Sequence, residues 1–457
     1  MTVTVRIAPS PTGYMHIGTA RTALFNYYFA KRHKGKFLLR IEDTDQARAT
    51  PGAVEALIKG MQWLGLNWDG EPVFQSARAP RHAEIAHELV KKGAAYYCYM
   101  TAEEIEAERT KAESNGTMWH YDRRWRDSTT TPPTGVKPAI RIKAPITTGT
   151  LTLNDVAQGD VTIDHKQLDD FILLRSDGTP TYMLAVVVDD HDMGITHVVR
   201  GDDHLNNMFR QYQIYQGMGW DFPVHAHVPL IHGVDGKKLS KRRGAASIEE
   251  FRDMGYLPEA LRNYLLRLGW SHGDAEIFSD AQATEWFDLE HIGQSPSCLD
   301  FDKLNAVNHH YLKLRDNKEL IELIQPLLEK EFGTISTDKL DRIAKGLNGL
   351  KDRSKTLVEL AKNAAIYLHD GKVTMDDTAK EKLAQPHAKD VLTAAMSLTT
   401  DDGKAFIQGV LDKTGFKMGQ VGPVLRAALT GTMQSPELAE VITALGPEEV
   451  QKRLRAV

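Results

Sequence analysis

The sequence predicts an α/β protein whose parallel sheet is interrupted by an insertion and followed by an all-α C-terminal part. Three observations carry this. The first residues alternate strand-like and helix-like runs; the stretch from about Tyr96 to Thr181 breaks into short strand candidates among turn-rich loops; and from about Glu285 onward helical periodicity replaces strand signals. The expected segments are therefore 1–95, 96–181, 182–284 and 285–457.

In chain order, Val3 to Ala8 is a short β-rich run that ends at the loop Pro9-Ser10-Pro11-Thr12-Gly13. A helix follows from Ile17 to His33, closed by Gly35, and Lys36 to Glu42 reads as the next strand. Thr50-Pro51 opens a further helix, with Val54, Leu57, Ile58, Met61 and Leu64 on one apolar face. Strand, loop, helix and strand in this order predict a parallel sheet. Within the insertion, Ala139 to Ile142 and Phe171 to Leu174 are strand candidates, the latter running into the turn Ser176-Asp177-Gly178-Thr179. Ile195 to Arg200 reads as a buried strand of the first sheet. Beyond it, Leu320, Ile321, Ile324 and Leu327-Leu328 typify the helical third.

Composition bounds the class. A chain of 457 residues suggests roughly two to four domains and ample core, so no disulfide or metal staple is required. It is 42% hydrophobic and 26% charged, without a run approaching the ~18 apolar residues of a membrane span. The first residues read as a strand and lack a basic-then-apolar leader pattern. Cys98 and Cys298, far apart, do not suggest a disulfide framework. A cytoplasmic, membrane-free protein is expected. The net charge of -5 decides nothing about nucleic acid, because phosphate binding needs local basic clusters.

Two motifs carry chemistry. Pro9 to Thr19 includes His16-Ile17-Gly18 and lies between a strand and a helix, at the carboxyl end of a parallel strand where ligands bind. The helix start offers N–H groups and a positive dipole end to phosphate. His16 can donate to phosphate oxygens, and Gly18 lets a base approach the backbone. The second motif, Val234 to Gly244, gathers five cationic side chains behind an Asp235-Gly236 turn, a cluster suited to a triphosphate. Taken singly, each is better explained without catalysis: the first as an ordinary exposed loop, the second as a solvated basic turn or a basic patch on nucleic acid.

Together, His16-Ile17-Gly18 and Lys238-Leu239-Ser240-Lys241 resemble the paired signatures of class I aminoacyl-tRNA synthetases. The likeness extends through Arg6 to Gly18, Thr22 to Asn26, Lys36 to Asp45, Trp63 to Leu66, Asp169 to Arg200, Lys237 to Gly244 and Met418 to Pro423, all similar to bacterial glutamyl-tRNA synthetases. It covers essentially the whole chain. The resemblance implies a Rossmann-like catalytic domain split by an acceptor-stem-binding insertion, with a helical anticodon-binding region behind it.

By that resemblance, Arg6 and Arg200 match carboxylate-binding arginines, and Ser10, Glu42 and Tyr182 match the remaining glutamate contacts. A planar guanidinium fork suits a carboxylate, and Glu42 suits an ammonium. On the residues alone, an ion pair between Arg6 and Glu42 across adjacent strands accounts for both equally well. His16, Lys238 and Lys241 match the catalytic signatures, while Pro9, Gly18, Thr19, Asp203, His204 and Ser240 join Lys241 around ATP. Thr19 stands where the family has glycine, and threonine suits a helix start. The implied reaction joins L-glutamate to ATP, with Mg²⁺ accompanying the triphosphate, and passes glutamate to tRNA-Glu; charging of tRNA-Gln is the alternative. A monomer is expected. Arg342, Lys345, Lys351, Arg353 and Lys355 form a basic stretch, with Arg353 where some members read the last anticodon base.

Rival classes fit less well. A small nucleotidyltransferase or a truncated tRNA-modifying paralogue does not need the helical third. An inactive homologue would have lost one of His16, Lys241, Arg6 or Arg200, and a glutaminyl enzyme has a β-rich C-terminal part. Some members carry zinc in the insertion. Here Cys98-Tyr99-Met100 and Tyr121-Asp122-Arg123 supply one thiol where four ligands are needed, so no metal site is expected. Elemental analysis of purified protein should find no stoichiometric zinc; one zinc per chain overturns this.

Overall fold

The computed structural model describes residues 2–44, 50–117, 119–233, 236 and 247–457. The chain forms two compact units, Met1–Glu249 with Arg262–Asp300, and Glu250–Leu261 with Phe301–Val457.

The first unit is built on parallel strands. β1 (Thr4–Ile7) pairs with β2 (Lys36–Ile41), which pairs with β3 (Val73–Phe74). Much later in sequence, β9 (His197–Gly201) pairs in parallel with β10 (Val224–Val228). β9 lies beside β1, because Thr4 N–H donates to Thr196 Oγ1 and Thr196 N–H to Thr4 O, both at 2.9 Å. Read across, the strands run β3-β2-β1-β9-β10, so the winding reverses between β1 and β9. At such a reversal the loops leaving the two strands diverge and open a crevice at their carboxyl ends.

The helices that accompany these strands in sequence are α1 (Ile17–Arg32), α2 (Ala53–Trp63) and α3 (Ala79–Lys91), then α5 (Tyr182–Asp192) and α6 (Leu205–Met218) after the insertion. α1 lies against β1, β2 and β9. Its fully buried Asn26 donates to Val199 O at 3.1 Å, fastening the helix to β9. The expected first helix and strands agree with these elements. The expected start of the second helix at Thr50-Pro51 is corrected: Gly52 takes a left-handed φ of 78° and the helix begins at Ala53. Thr50 N–H is already committed to Pro11 O. The short α7 (Ile248–Asp253), α8 (Pro258–Arg267) and α9 (Asp280–Trp286) follow. The paired β11 (Ile231–His232) and β12 (Ser297–Cys298) show that strand character does not end at Glu285.

The strands of the inserted segment pair antiparallel. β4 (Ala95–Cys98), β5 (Ala139–Ile142) and β8 (Ile172–Leu174) form one sheet, and β6 (Thr150–Asp155) with β7 (Gly159–Asp164) a hairpin. α4 (Ala102–Ser114) starts with a reciprocal cap between Thr101 and Glu104. Beside it, buried Tyr96, Cys98 and Met100 pack with Trp119, Tyr121 and Trp125. The Cys98 thiol meets Tyr121 Oη at 3.4 Å, and the Arg141 guanidinium lies 3.9 Å from the centroid of the Tyr121 ring. Aromatic packing consolidates this corner.

The second unit carries nine further helices among the described residues: α10 (Phe301–Leu314), α11 (Asn317–Phe332), α12 (Thr337–Lys351), α13 (Leu357–Ala364), α14 (Asp377–Leu383), α15 (Ala388–Met396), α16 (Gly403–Thr414), α17 (Met418–Thr430) and α18 (Leu438–Arg455). Their apolar faces close on one core that includes Leu320, Ile324, Leu347, Phe406, Leu425 and Ile442. Burial of these stripes is what such amphipathic periodicity supplies.

Candidate functional site

A cleft of about 900 Å³ opens at the carboxyl ends of β1 and β9. Arg6, Pro9, Ser10, His16, Gly18, Thr19, Glu42, Tyr182, Arg200, Asp203 and His204 all line it. The structure therefore brings together every site residue expected in the first unit that lies among the described residues. Lys238, Ser240 and Lys241 lie outside the described residues.

The floor is a buried charge cluster. Arg6, on β1, donates through Nε to Asp190 Oδ1 (2.9 Å) and through Nη2 to Oδ2 (3.2 Å). Arg40, on β2, donates to the same Oδ1 at 2.6 Å and to Glu42 Oε1 at 3.4 Å. Asp190 itself stands in α5. Burial alone would raise the Asp190 carboxyl, but Arg40 and Arg6 hold it down to about 2. The same carboxylates, with Asp189, keep Arg40 charged despite complete burial. The ion pair between Arg6 and Glu42 that the sequence allowed is thus replaced: Arg6 answers to Asp190 and Glu42 to Arg40. Two prongs of the Arg6 fork are taken, leaving Nη1 for any further partner.

Glu42 is brought to the cleft wall because its backbone N–H donates to Pro9 O at 3.0 Å, tying the end of β2 to the loop after β1. Burial raises its carboxyl against the pull of Arg40 and Arg6, so an added cation beside it would be favoured. Tyr182 begins α5, with its hydroxyl 3.4 Å from His204 Nδ1. Burial and the Glu42 charge hold that phenol protonated.

Arg200 differs from the other two arginines. It is 6% exposed, and its hydrogen bonds all go to neutral acceptors: Nε to His227 Nε2 (3.0 Å), Nη1 to Gln211 Oε1 (2.9 Å) and Nη2 to His204 O (3.3 Å). Burial weakens its hold on the proton. Among the described residues no carboxylate pairs with it, so a buried guanidinium faces the cleft without a direct counter-charge. An anion is what such a site lacks.

At the other end, His16 caps α1. Gly18 N–H donates to His16 Nδ1 at 3.0 Å, which assigns the ring proton to Nε2 and makes that atom a donor. A Cβ on Gly18 would sit 3.3 Å from His16 Nδ1, so glycine keeps the cap undisturbed. Thr19 lies inside the first turn and is not the cap. Arg21 reaches under the same wall: Nη1 donates to Leu268 O at 2.9 Å and Nη2 to Pro229 O, and burial lowers its pKa to about 10. Asp203 and His204 follow β9 in a short 3-10 turn, Asp202–His204. Asn207 Nδ2 lies 3.0 Å from His204 Nδ1, and burial lowers the imidazole pKa. Among the described residues, no group of three or more His, Cys, Asp or Glu side chains is arranged to hold a metal ion.

Comparisons agree with this geometry. The family model for "tRNA synthetases class I (E and Q), catalytic domain" matches residues 2–306. The chain belongs to the class I tRNA synthetases (E and Q). A second model, "Anticodon binding domain", matches residues 319–457 of this synthetase. Glutamate--tRNA ligase 2 of Rhodospirillum rubrum is 53% identical, covering 100% of the synthetase chain and 99% of the relative, and that of Rhodospirillum centenum is also 53% identical over 99% and 98%. A glutamate tRNA ligase from Elizabethkingia meningosepticum, solved in complex with its amino acid, superposes with a TM-score of 0.89 at 31% identity, over 100% and 99% of the two chains. The fold is thus the class I arrangement: a parallel-sheet catalytic part with an α+β insertion and a C-terminal helical anticodon-type domain.

In that helical part of the synthetase, the expected basic stretch divides. Lys345, Arg353 and Lys355 are exposed. Arg342 is instead turned to Asp370 (3.3 Å) and Glu449 (3.5 Å). Lys351, 7% exposed, donates to Arg315 O and Asn317 Oδ1. Those two cations hold helices together, because their helix turns them inward. Arg353 lies near Arg426, whose pKa is lowered by burial and by that neighbour.

Asp190, Arg40, Gln211 and His227 escaped sequence reasoning. A charged residue inside the apolar strand Lys36–Ile41, and two acids closing the apolar run Leu184–Val188, were the available signals. Replacing Asp190 with Asn should cost about 3–5 kcal/mol at pH 7, because Arg6 and Arg40 lose their shared counter-ion. Its depressed pKa adds stability that is full above the unfolded value of about 4 and fades as pH falls towards 2. Urea unfolding should therefore show a lower midpoint for Asp190→Asn at pH 7, and a gap from wild type that narrows below about pH 4. Equal midpoints at pH 7 contradict the clamp.

Proposed function

We propose that this chain activates L-glutamate with ATP and transfers it to the terminal adenosine of tRNA-Glu. The observation that carries the reading is Arg200, a buried guanidinium lining the cleft with only neutral partners. An amino acid with two carboxylates supplies the missing anion, and its ammonium suits Glu42. The relatives named as glutamate--tRNA ligases, full-length at 53% identity, support the same substrate.

In this reading the side-chain carboxylate of glutamate binds Arg200, with Arg6 Nη1, Ser10 and Tyr182 around the amino acid. ATP lies along the loop from Pro9 to Thr19 and beside Asp203 and His204, its phosphates near the N-terminus of α1. Mg²⁺ enters with the triphosphate. An α-carboxylate oxygen attacks the α-phosphorus in line, the bond to the pyrophosphate oxygen breaks, and glutamyl-adenylate forms. The Nε2–H of His16 donates to phosphate oxygen as charge builds there, with Lys238, Ser240 and Lys241 assigned to the leaving pyrophosphate by their motif. A ribose hydroxyl of the terminal adenosine then attacks the acyl carbon; AMP leaves and the hydroxyl proton is released. Positioning and charge stabilisation suffice, so no side chain becomes a covalent nucleophile. Arg353, exposed on the helical part, is assigned to the anticodon. The chain acts as a monomer.

Charging of purified tRNA-Glu and tRNA-Gln with labelled glutamate tests the proposal. Glutamyl-tRNA-Glu should accumulate, and His16→Ala should slow it at least about a hundredfold, the scale of losing one transition-state donor. Charging of neither RNA overturns the reading, and preference for tRNA-Gln overturns the assignment to tRNA-Glu.

A further inference from the structure

The inserted hairpin reaches back to the parallel strands, beside the one that carries Arg200. The turn joining β6 to β7 docks on β10: Val156 N–H donates to His225 O and Gln158 Nε2 to His227 O, both at 2.9 Å. Just before these two anchors stands Asp155, 1% exposed. Its Oδ1 accepts three backbone N–H groups, from Ala157 (3.1 Å), Gln158 (2.9 Å) and His227 (3.1 Å), the last shared with Oδ2 at 3.1 Å. Its Oδ2 lies 2.6 Å from His227 Nδ1. His227 is fully buried, and its Nε2 accepts from Arg200 Nε at 3.0 Å.

The protons in this row are fixed by elimination. Arg200 Nε–H can only donate, so His227 Nε2 must be bare and the imidazole proton must sit on Nδ1, facing Asp155. Burial lowers the imidazole pKa, which keeps the ring in this neutral form. Asp155, held charged chiefly by its bonds to His227 against the effect of burial, sits one ring behind Arg200. A carboxylate–imidazole pair thus sets the rotation of a guanidinium as second ligands orient a metal-bound histidine.

We propose that Asp155 and His227 are positioning residues that aim Arg200 at the ligand carboxylate, so that the tip of the inserted hairpin sets the grip on the amino acid. This rests on the assignment of Arg200 to the substrate carboxylate. Asp155→Asn isolates the effect. The Ala157 and Gln158 N–H groups, which reach Oδ1 alone, hold the oxygen of the new amide there, so its NH₂ faces His227 Nδ1. The ring must then accept at Nδ1 and carry its proton on Nε2, where it opposes the Arg200 N–H. Shape and volume are nearly unchanged.

The test is glutamate-dependent exchange of pyrophosphate into ATP, with tRNA present, for wild type, Asp155→Asn, Arg200→Ala and the double variant. Asp155→Asn should raise the KM for glutamate about tenfold or more, with the KM for ATP unchanged. Added to Arg200→Ala it should change the glutamate KM no further, since both act through one contact. Equal losses for glutamate and ATP, or additive losses in the double variant, mark a merely structural role and overturn the proposal. An unchanged glutamate KM in Arg200→Ala instead refutes the underlying assignment of Arg200. Should Asp155→Asn fail to fold, His227→Phe, which removes the acceptor for Nε, takes its place in the same cycle with the same expected and contrary outcomes.

Discussion

Two buried arginines from neighbouring strands and one aspartate from a helix far along the chain meet at the base of the cleft. Arg6 and Arg40 converge on Asp190, 184 and 150 residues away in sequence, with bonds of 2.6–3.2 Å. Each charge alone would be costly in the interior, and each is tolerated because the others are present. This contact joins β1 and β2 to α5 across the whole insertion. The positions of Glu42, one step beyond β2, and Tyr182, at the start of α5, follow from it.

The cluster also divides labour among cations. Arg40 directs its two terminal nitrogens to Asp190 and Glu42, and Arg6 keeps one nitrogen. Arg200, on the far side of the β1–β9 boundary, is solvated by imidazole, amide and carbonyl groups that offer no opposing charge at contact distance. A site built this way prefers a ligand carrying an anion opposite Arg200 and a cation opposite Glu42. In the proposed function that ligand is glutamate, and the neighbouring helix N-terminus with its histidine cap receives phosphate. The crevice lies where the winding of the parallel strands reverses, so both halves share one wall.

Much of this was legible in the residues. A β-rich run ending in a Pro/Gly loop marked β1, an apolar run after Gly35 marked β2, and the helical third was plain from its periodicity. Every cleft-lining residue singled out by motif among the described residues does reach the cleft. What was hidden was pairing. No local pattern tells Arg6 that its partner is Asp190 instead of Glu42, because that choice depends on where α5 docks. The start of α2 was misjudged because a proline at a helix start and a proline in the preceding turn look alike until Gly52 takes its left-handed conformation. Arg342 and Lys351 look like an exposed basic face, yet rotation of α12 sends both inward to Glu449 and Arg315 O. The two-residue β11–β12 pairing is too short to leave a periodic signal.

A buried guanidinium lacking a direct counter-charge should select an acidic amino acid. Equilibrium binding of L-glutamate and of L-glutamine to the full chain, measured by calorimetry, tests it most directly, since the two ligands differ by one charge and hardly in shape. Glutamate should bind at least about a hundredfold more tightly, the scale expected for a charge-assisted bond in a desolvated site. Equal affinities would contradict the account.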